Sequence, residues 1–252
     1  MSDFIRRLRA CPARIVLLII AVIMLCPCIA MAESESEESE PYPLLTLVNK
    51  WHALEDGYEP TLVSIGDGHK LDARAVTDFN QMMADCRAAG LEPKVRSSYR
   101  TQKKQVSLYE NKVSRLLKKG LKPIDARMEA ATVVAYPGTS EHQLGLALDI
   151  VDADYTALET DQENTPVQKW LMKNSWRYGF ILRYPSGKSD ITGIIYEPWH
   201  YRYVGRTAAA EMHQTGLCLE EYIEAYISDD ARAVPLGITQ VCHIYLPRAL
   251  RY

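Results

Sequence analysis

Three stretches of the chain have the apolar spacing of an amphipathic helix. The first follows Asp72, which can cap a helix, and ends near Gly90. The second spans about Thr101 to Lys119, with lysines opposite its apolar face, and the third covers roughly Asp125 to Val134. We expect the buried face of the second helix to contain Val106, Tyr109, Val113, Leu116 and Leu117. Helices therefore dominate the first half of the predicted fold.

The pattern then changes to short apolar runs that are typical of strands. Lys94 to Ser97 predicts a short strand, and Leu144 to Val151 is apolar except for Asp149, which predicts a buried central strand. Phe180 to Tyr184 predicts another strand, and Gly187 opens a hairpin toward Ile191 to Val204. Because short turns join neighbouring strands, we predict an α+β fold in which helices flank a small mixed or antiparallel sheet.

The N-terminal segment has the three-part pattern of a secretory signal peptide. Four arginines precede an uncharged run from Ile15 to Cys26, and Ala30-Met31-Ala32 supplies a cleavage site. A retained anchor formed by residues 15–31 is the alternative, but the apolar run ends at Pro27, short of the roughly 20 residues that span a bilayer. A lipoprotein is disfavoured, because no small residue precedes Cys26 or Cys28. We predict cleavage after residue 32 and export to the periplasm or another extracytoplasmic cell-wall space.

The rest of the chain divides into a spacer, one domain and an extension. Residues 33–40 contain only Glu and Ser and predict a disordered spacer, residues 41–222 form the predicted domain, and residues 223–252 are an extension without an assigned role. Loss of residues 1–32 removes four of 29 basic and one of 32 acidic residues, which leaves a formal charge of −6. This charge argues against nucleic acid as a partner. We expect a monomer that meets a membrane only through an uncleaved N-terminal segment.

Three cysteines remain after the predicted signal peptide: Cys86, Cys218 and Cys242. An odd number cannot all pair within one chain. An oxidising compartment permits a disulfide between Cys218 and Cys242, which would tie the C-terminal extension to the domain, although spacing alone does not establish it.

Asp149 is the first candidate for chemistry, because it is an acid within an apolar strand. A buried carboxylate is costly unless a cation or hydrogen-bond donors compensate its charge. A metal ion is the strongest compensation, and His142 lies close enough in sequence to be a second ligand. The alternative is an Asp that accepts backbone amide hydrogens beside an exposed His. These residues alone do not separate the two interpretations.

The segment from Tyr196 to Tyr203 supplies further candidates, Glu197 and His200. Three protein ligands and one open position are typical of a catalytic zinc, and a nearby carboxylate can serve as its general base. Residues three apart on a regular strand face opposite sides, so Glu197 and His200 can share a site only if Pro198 interrupts the strand. The alternative is an edge strand with a solvent-facing Glu and a packed His.

Several motifs in one order resemble the VanY-type D-alanyl-D-alanine carboxypeptidases, a family of zinc peptidases. The resemblance covers Leu44 to Tyr222. Its motifs are Leu47 to Lys50, Ser97 to Arg100, Pro137 to His142 with Gly145, Ala147 and Asp149, Tyr178 to Pro185, Ile191 to Gly193, and Glu197 to Gly205.

The resemblance implies the Hedgehog/D-Ala-D-Ala-peptidase fold and one zinc ion per chain. It implies that His142, Asp149 and His200 bind zinc, that Glu197 is the catalytic base, and that Arg100 contacts the substrate beside the scissile bond. Further substrate contacts are expected from Gln105, Ser140 and Trp199.

The expected activity is removal of the terminal D-alanine from peptidoglycan stem peptides. The alternatives are cleavage of an L,D bond in a shorter stem, an endopeptidase cut, or a non-catalytic module that binds wall peptides. The filled metal and base positions argue against the last.

Overall fold

The structure is a computed structural model that describes residues 44–226. Within this range the helices are α1 (Ala73–Ala88), α2 (Gln102–Lys118), α3 (Pro123–Ala131), α4 (Glu141–Leu144), α5 (Pro166–Asn174), α6 (Ser189–Thr192), α7 (Arg206–Thr215) and α8 (Leu219–Tyr226). The strands are β1 (Leu62–Gly66), β2 (His69–Asp72), β3 (Pro93–Ser97), β4 (Ala147–Asp152), β5 (Phe180–Leu182) and β6 (His200–Tyr203). Thr160–Asn164 and Ser175–Tyr178 are short 3₁₀ helices.

The strands form a hairpin and a four-stranded sheet, and every pairing is antiparallel. The hairpin pairs β1 with β2, and the larger sheet has the order β3-β4-β6-β5. The predicted α+β class with an antiparallel sheet is confirmed. The hairpin was not predicted.

Helix α1 begins where the sequence predicts it. The Asp72 carboxylate accepts a hydrogen bond from the backbone N–H of Arg74 at 3.0 Å, which satisfies one of the free donors of the first turn. The apolar face of α1, including Phe79 and Met82, is buried in the main core with Leu148 and Ile150 of β4. The prediction of α1 is therefore confirmed in both position and orientation.

Helix α2 forms as predicted, but two residues of its predicted buried face are exposed. Val106 is 40% exposed and Leu117 is 41% exposed, whereas Gln105 is fully buried. Tyr109, Val113 and Leu116 are buried as predicted, because they pack on the short helix α3.

Strand β4 is the centre of the four-stranded sheet, and all six of its residues are buried. It pairs with β3 on one side and β6 on the other. The buried Gln168 of α5 holds the sheet from one face: its amide donates to the carbonyl of Ile150 and its oxygen accepts from the Tyr201 hydroxyl.

Two strand predictions were wrong in extent. Leu144 belongs to the short helix α4, and Gly145 ends that helix with φ of 82°, so the strand begins only at Ala147. The predicted hairpin after Gly187 does not exist, because α6 occupies that position and β6 begins only at His200.

No helix within residues 44–226 has the length and apolar character that a membrane crossing requires. The predicted signal peptide, the spacer and nearly all of the C-terminal extension lie outside the described residues.

Candidate active site

The sheet brings Asp149 and His200 together. They are direct partners in the antiparallel register of β4 and β6, so their side chains emerge on the same face of the sheet. His200 Nδ1 lies 3.1 Å from Asp149 Oδ1. Leu148 and Ile150, the strand neighbours of Asp149, belong to the main core. Alternation along β4 therefore directs Asp149 away from the core, to the face that carries the site.

The short helix α4 adds His142 from outside the sheet. Its Nδ1 lies 2.8 Å from the carbonyl oxygen of Ser98, so that nitrogen carries the proton and donates. The other ring nitrogen, Nε2, then has a free lone pair and lies 3.3 Å from Asp149 Oδ1. Such a backbone carbonyl is the usual outer partner of a metal-binding histidine.

The side chains of His142, Asp149 and His200 are all buried, and each offers a ligand atom within 4.8 Å of the others. Atoms bound to a tetrahedral zinc at bond lengths of about 2.0–2.2 Å are about 3.3–3.5 Å apart. The distances of 3.3 and 3.1 Å from Asp149 Oδ1 to the two histidine nitrogens are close to that value. This donor set therefore fits zinc in number and type, and its two distances from Asp149 are consistent with tetrahedral coordination.

Glu197 lies in a turn before β6, not on the strand. Its backbone N–H donates to the carbonyl of Tyr184, and its carbonyl accepts from the backbone N–H of His200 at 3.2 Å. This turn removes the objection that residues three apart on a strand face opposite sides. Glu197 Oε2 lies 3.8 Å from His200 Nδ1, on the same side as the other candidates.

Burial governs the protonation of these groups. It raises the pKa of Glu197 to about 8, against the opposing effect of His200, and it lowers the pKa of His142 to about 4. Burial also disfavours a charged His200, but hydrogen bonds with Asp149 and Glu141 outweigh it and raise the pKa of His200 to about 9. Glu197 has the raised pKa that is typical of a general base.

Arg100 is held beside the cluster by two hydrogen bonds. Its Nη2 donates to Asp149 Oδ2 at 2.7 Å and its Nε donates to the Ser97 hydroxyl at 2.8 Å. Asp149 thus presents Oδ1 to the histidines and Oδ2 to the guanidinium. The arginine remains partly accessible, with 17% of its side chain exposed.

The cluster lies at a cleft of about 360 Å³, a volume in the range of small-molecule sites. Ser140, Trp199 and Tyr184 line it, and the Tyr184 ring packs 4.7 Å from the His200 ring. Ser140 and Trp199 thus lie where substrate contacts were predicted. Gln105 does not, because its side chain is fully buried and donates to the carbonyl of Ala135 at 2.7 Å. Gln105 therefore holds the backbone of Ala135, a residue that lines the cleft, and does not line the cleft itself.

A second buried charged group adjoins the cluster, and its role was missed. Glu141 Oε1 accepts from Arg183 Nε at 2.6 Å and from Arg202 Nη1 at 2.7 Å, and all three side chains are fully buried. Its other oxygen is 3.5 Å from His200 Nε2. The two arginines hold the pKa of Glu141 well below its ordinary value against the effect of burial. The available signal in the sequence was an acid directly beside a predicted metal ligand.

Cys218 is buried, but Cys242 lies outside the described residues, so their disulfide stays a prediction.

The chain was compared with known protein families, and the family model of VanY, D-alanyl-D-alanine carboxypeptidase, matches residues 68–206. This range contains every candidate catalytic and metal-binding residue. The chain belongs to this family. The D-alanyl-D-alanine carboxypeptidase of Enterococcus faecalis is 44% identical over 179 residues, which are 71% of this chain and 65% of that protein. The chain therefore spans slightly less than two thirds of that relative.

Solved structures agree in fold and include a metal complex. An alanine variant of the vancomycin resistance D,D-pentapeptidase VanY, in complex with Zn(II), is 42% identical with a TM-score of 0.65; the match covers 71% of this chain and 98% of that one. The LdcB LD-carboxypeptidase is 38% identical with a TM-score of 0.63, over 72% of this chain and 86% of that one. The VanY-family fold that the sequence predicts, the Hedgehog/D-Ala-D-Ala-peptidase fold, is confirmed.

Proposed function

We propose that this VanY-family protein is a zinc-dependent D,D-carboxypeptidase that removes the terminal D-alanine from peptidoglycan stem peptides. The observation that carries the proposal is the convergence of His142, Asp149 and His200 at the cleft, with Glu197 beside them. The similarity to D-alanyl-D-alanine carboxypeptidases supports the substrate class.

His142 Nε2, Asp149 Oδ1 and His200 Nδ1 are the proposed zinc ligands. Two outer atoms of these ligands are already engaged: His142 Nδ1 by the Ser98 carbonyl and Asp149 Oδ2 by Arg100. Zinc held by these residues would supply Lewis acidity to polarise the scissile carbonyl and to lower the pKa of a water molecule. The protein's own residues then have to move protons and stabilise charge.

Glu197 is the proposed proton carrier. Its carboxylate takes a proton from the attacking water, and the resulting carboxylic acid returns that proton to the departing amine of D-alanine. Burial raises the pKa of Glu197 to about 8 in the metal-free protein, and a bound dication would lower that pKa and favour the carboxylate that the first step needs. One residue can therefore serve as base and then acid.

Arg100 and the cleft walls complete the proposed mechanism. The guanidinium of Arg100 can share the negative charge that develops on the scissile carbonyl oxygen. The rings of Trp199 and Tyr184 shield the reaction from bulk water, which strengthens these electrostatic interactions.

Cleavage of an L,D bond is the second candidate, since the LdcB LD-carboxypeptidase has the same fold at 38% identity. The test is to incubate the zinc-loaded chain with pentapeptide and tetrapeptide stems and to identify the products by mass. We expect D-alanine from the pentapeptide only, with activity lost on chelation and restored by zinc. Release from the tetrapeptide alone assigns L,D-carboxypeptidase activity, an internal cut assigns an endopeptidase, and no cleavage of any stem contradicts the proposal.

We also propose that residues 1–32 export the chain and are removed, so that a monomeric domain of residues 41–222 acts in the cell-wall space. The charge and apolar pattern of the N-terminal segment support this. Fractionation of expressing cells with N-terminal sequencing tests it. Mature protein that begins near Glu33 is expected, and cytoplasmic protein with an intact N terminus contradicts it.

A further inference from the structure

We define the metal cluster as the proposed ligands His142, Asp149 and His200 together with Glu197. Two cationic side chains lie along the same cleft as this cluster, and the proposed chemistry uses neither. Lys112 and Arg115 of α2 line the cleft together with Leu108. These residues are at positions i, i+4 and i+7, so they form one stripe along the helix. The stripe runs beside the buried face of α2, which contains Tyr109 and Val113.

Neither cation has an acidic partner. Within residues 44–226, no carboxylate forms an ion pair with Lys112 or Arg115, and the hydrogen bond that Arg115 makes is from its Nε to the carbonyl of Asn111 at 3.3 Å. The neighbouring Glu110 is already paired with Arg127 at 3.0 Å on another side of the helix. Within the part of the chain that the structure describes, the two positive charges along the cleft are therefore uncompensated.

The acidic residues that line the cleft do not form ion pairs with Lys112 or Arg115 either. Among the described residues, the acids that line it are Asp149 and Glu197, and both belong to the metal cluster. Asp149 pairs with Arg100, and Glu197 lies 3.8 Å from His200. The charge of the cleft is thus divided, with the acids at the cluster and free positive charge along α2.

We propose that Lys112 and Arg115 form a subsite for a carboxylate of the substrate peptide, on the N-terminal side of the scissile bond. This inference rests on the proposed carboxypeptidase function, which places the scissile carbonyl at the cluster and leaves the cleft along α2 for the rest of the peptide. The fork of Arg115 can bind both oxygens of a carboxylate, and Lys112 adds a point charge. The enzyme then prefers a peptide with an acidic residue upstream to one in which that residue is amidated.

The test uses two peptides that end in D-Ala-D-Ala and differ only in one upstream residue, either Glu or Gln. Each is assayed with the unsubstituted chain, with the double variant Lys112→Ala/Arg115→Ala, and with the control Lys103→Ala/Lys118→Ala. Lys103 and Lys118 also lie on α2, but they are exposed and do not line the cleft. Both double variants remove two positive charges, so they change the net charge of the protein by the same amount.

We expect the unsubstituted chain and the control to favour the Glu peptide by about tenfold in kcat/KM, mainly through KM, because partly exposed ion pairs contribute modestly. The Lys112/Arg115 variant should lose this preference and hydrolyse the Gln peptide at the ordinary rate. An unsubstituted chain without preference, or a Lys112/Arg115 variant that keeps it, overturns the proposal.

The affinities of the Glu and Gln peptides are also compared by a binding measurement, in which each of the three proteins is zinc-loaded and also carries Glu197→Gln. Absence of hydrolysis by any protein contradicts the carboxypeptidase function, whereas the binding preference still decides on the subsite. A tenfold preference for the Glu peptide that disappears in the Lys112/Arg115 variant supports the subsite. Equal binding of the two peptides, or a preference that the variant retains, refutes it.

Discussion

The metal cluster and the arginine network are both buried and charged, but they differ in how their polar atoms are satisfied. We define the arginine network as Glu141, Arg183, Arg202 and Glu220. Arg183 donates to Glu141 and, through two nitrogens, to Glu220 at 2.8 and 2.6 Å. Arg202 donates to Glu141 and to the carbonyls of Leu44, Thr46 and Tyr203. The nitrogens of both guanidinium groups are thus satisfied within the protein.

The metal cluster is not closed in this way. Its two histidine nitrogens lie 3.1 and 3.3 Å from the same Asp149 oxygen, and Glu197 Oε2 stays 3.8 Å from His200. A buried polar group without a full set of partners is costly, and it persists where function needs it. The difference teaches that the arginine network holds the chain segments together, whereas the cluster keeps its ligand atoms available to a cation.

The largest effect is expected from Asp149→Asn. An amide cannot supply the negative charge that stabilises zinc, so we expect loss of the metal and of all peptidase activity. Metal analysis after dialysis measures this. The control is Asp152→Asn on the same strand, whose carboxylate accepts from the backbone N–H groups of Asp154 and Val167. That variant should keep its zinc, and retention of zinc by Asp149→Asn is the opposing result.

Glu197→Gln should reduce kcat by about 10²- to 10⁴-fold, because the proposed general base is lost while the proposed zinc ligands stay in place. Zinc content should not change. Steady-state kinetics and metal analysis of the same sample give both values, with the exposed Glu129→Gln as the control. Ordinary turnover in Glu197→Gln would mean that another group accepts the proton.

Glu141→Gln should break the arginine network and disturb the cluster as well. Removal of one partner from a buried ion pair lowers the free energy of unfolding by about 3–5 kcal/mol. Zinc affinity should fall by about 10- to 100-fold, since Glu141 Oε2 lies 3.5 Å from His200 Nε2 and can orient the ring. Denaturant unfolding of the metal-free protein and zinc titration measure the two effects.

Glu220→Gln is the matched control for Glu141, since it weakens the arginine network at Arg183 and Asn49, away from the histidines. It should lower stability but leave zinc affinity unchanged. If both variants weaken zinc binding equally, Glu141 acts through general stability and not through His200.

The smallest effect is expected from Arg127→Ala, which removes the exposed ion pair with Glu110. Its partners are 35% and 51% exposed, so solvent screens the interaction. The free energy of unfolding should change by less than about 1 kcal/mol, with zinc affinity unaltered. A loss as large as that of Glu141→Gln would contradict the distinction between buried and exposed charges.

The parts of the fold that local patterns determine were predictable. Asp72 and the apolar spacing after it predict α1, and the single acid in an apolar run singles out Asp149. The β1–β2 hairpin was missed although Asp67-Gly68 is a typical two-residue turn between strands, with φ of 50° and 76°.

Other features depend on contacts that a local pattern does not contain. The buried face of α2 follows from its packing on α3, which buries Gln105 and leaves Val106 exposed. The turn from Glu197 to His200 depends on a hydrogen bond to Tyr184, which is distant in sequence. The partners of Glu141 come from β6 and from the segment after β5, so its role required the assembled sheet.

The central claim is that His142, Asp149 and His200 bind one zinc ion, and diffraction at the zinc absorption edge from crystals of the zinc-loaded chain tests it most directly. The account predicts one strong anomalous peak about 2.0–2.2 Å from His142 Nε2, an Asp149 carboxylate oxygen and His200 Nδ1. A zinc peak at other side chains, or one that lacks any of these three ligands, would contradict it.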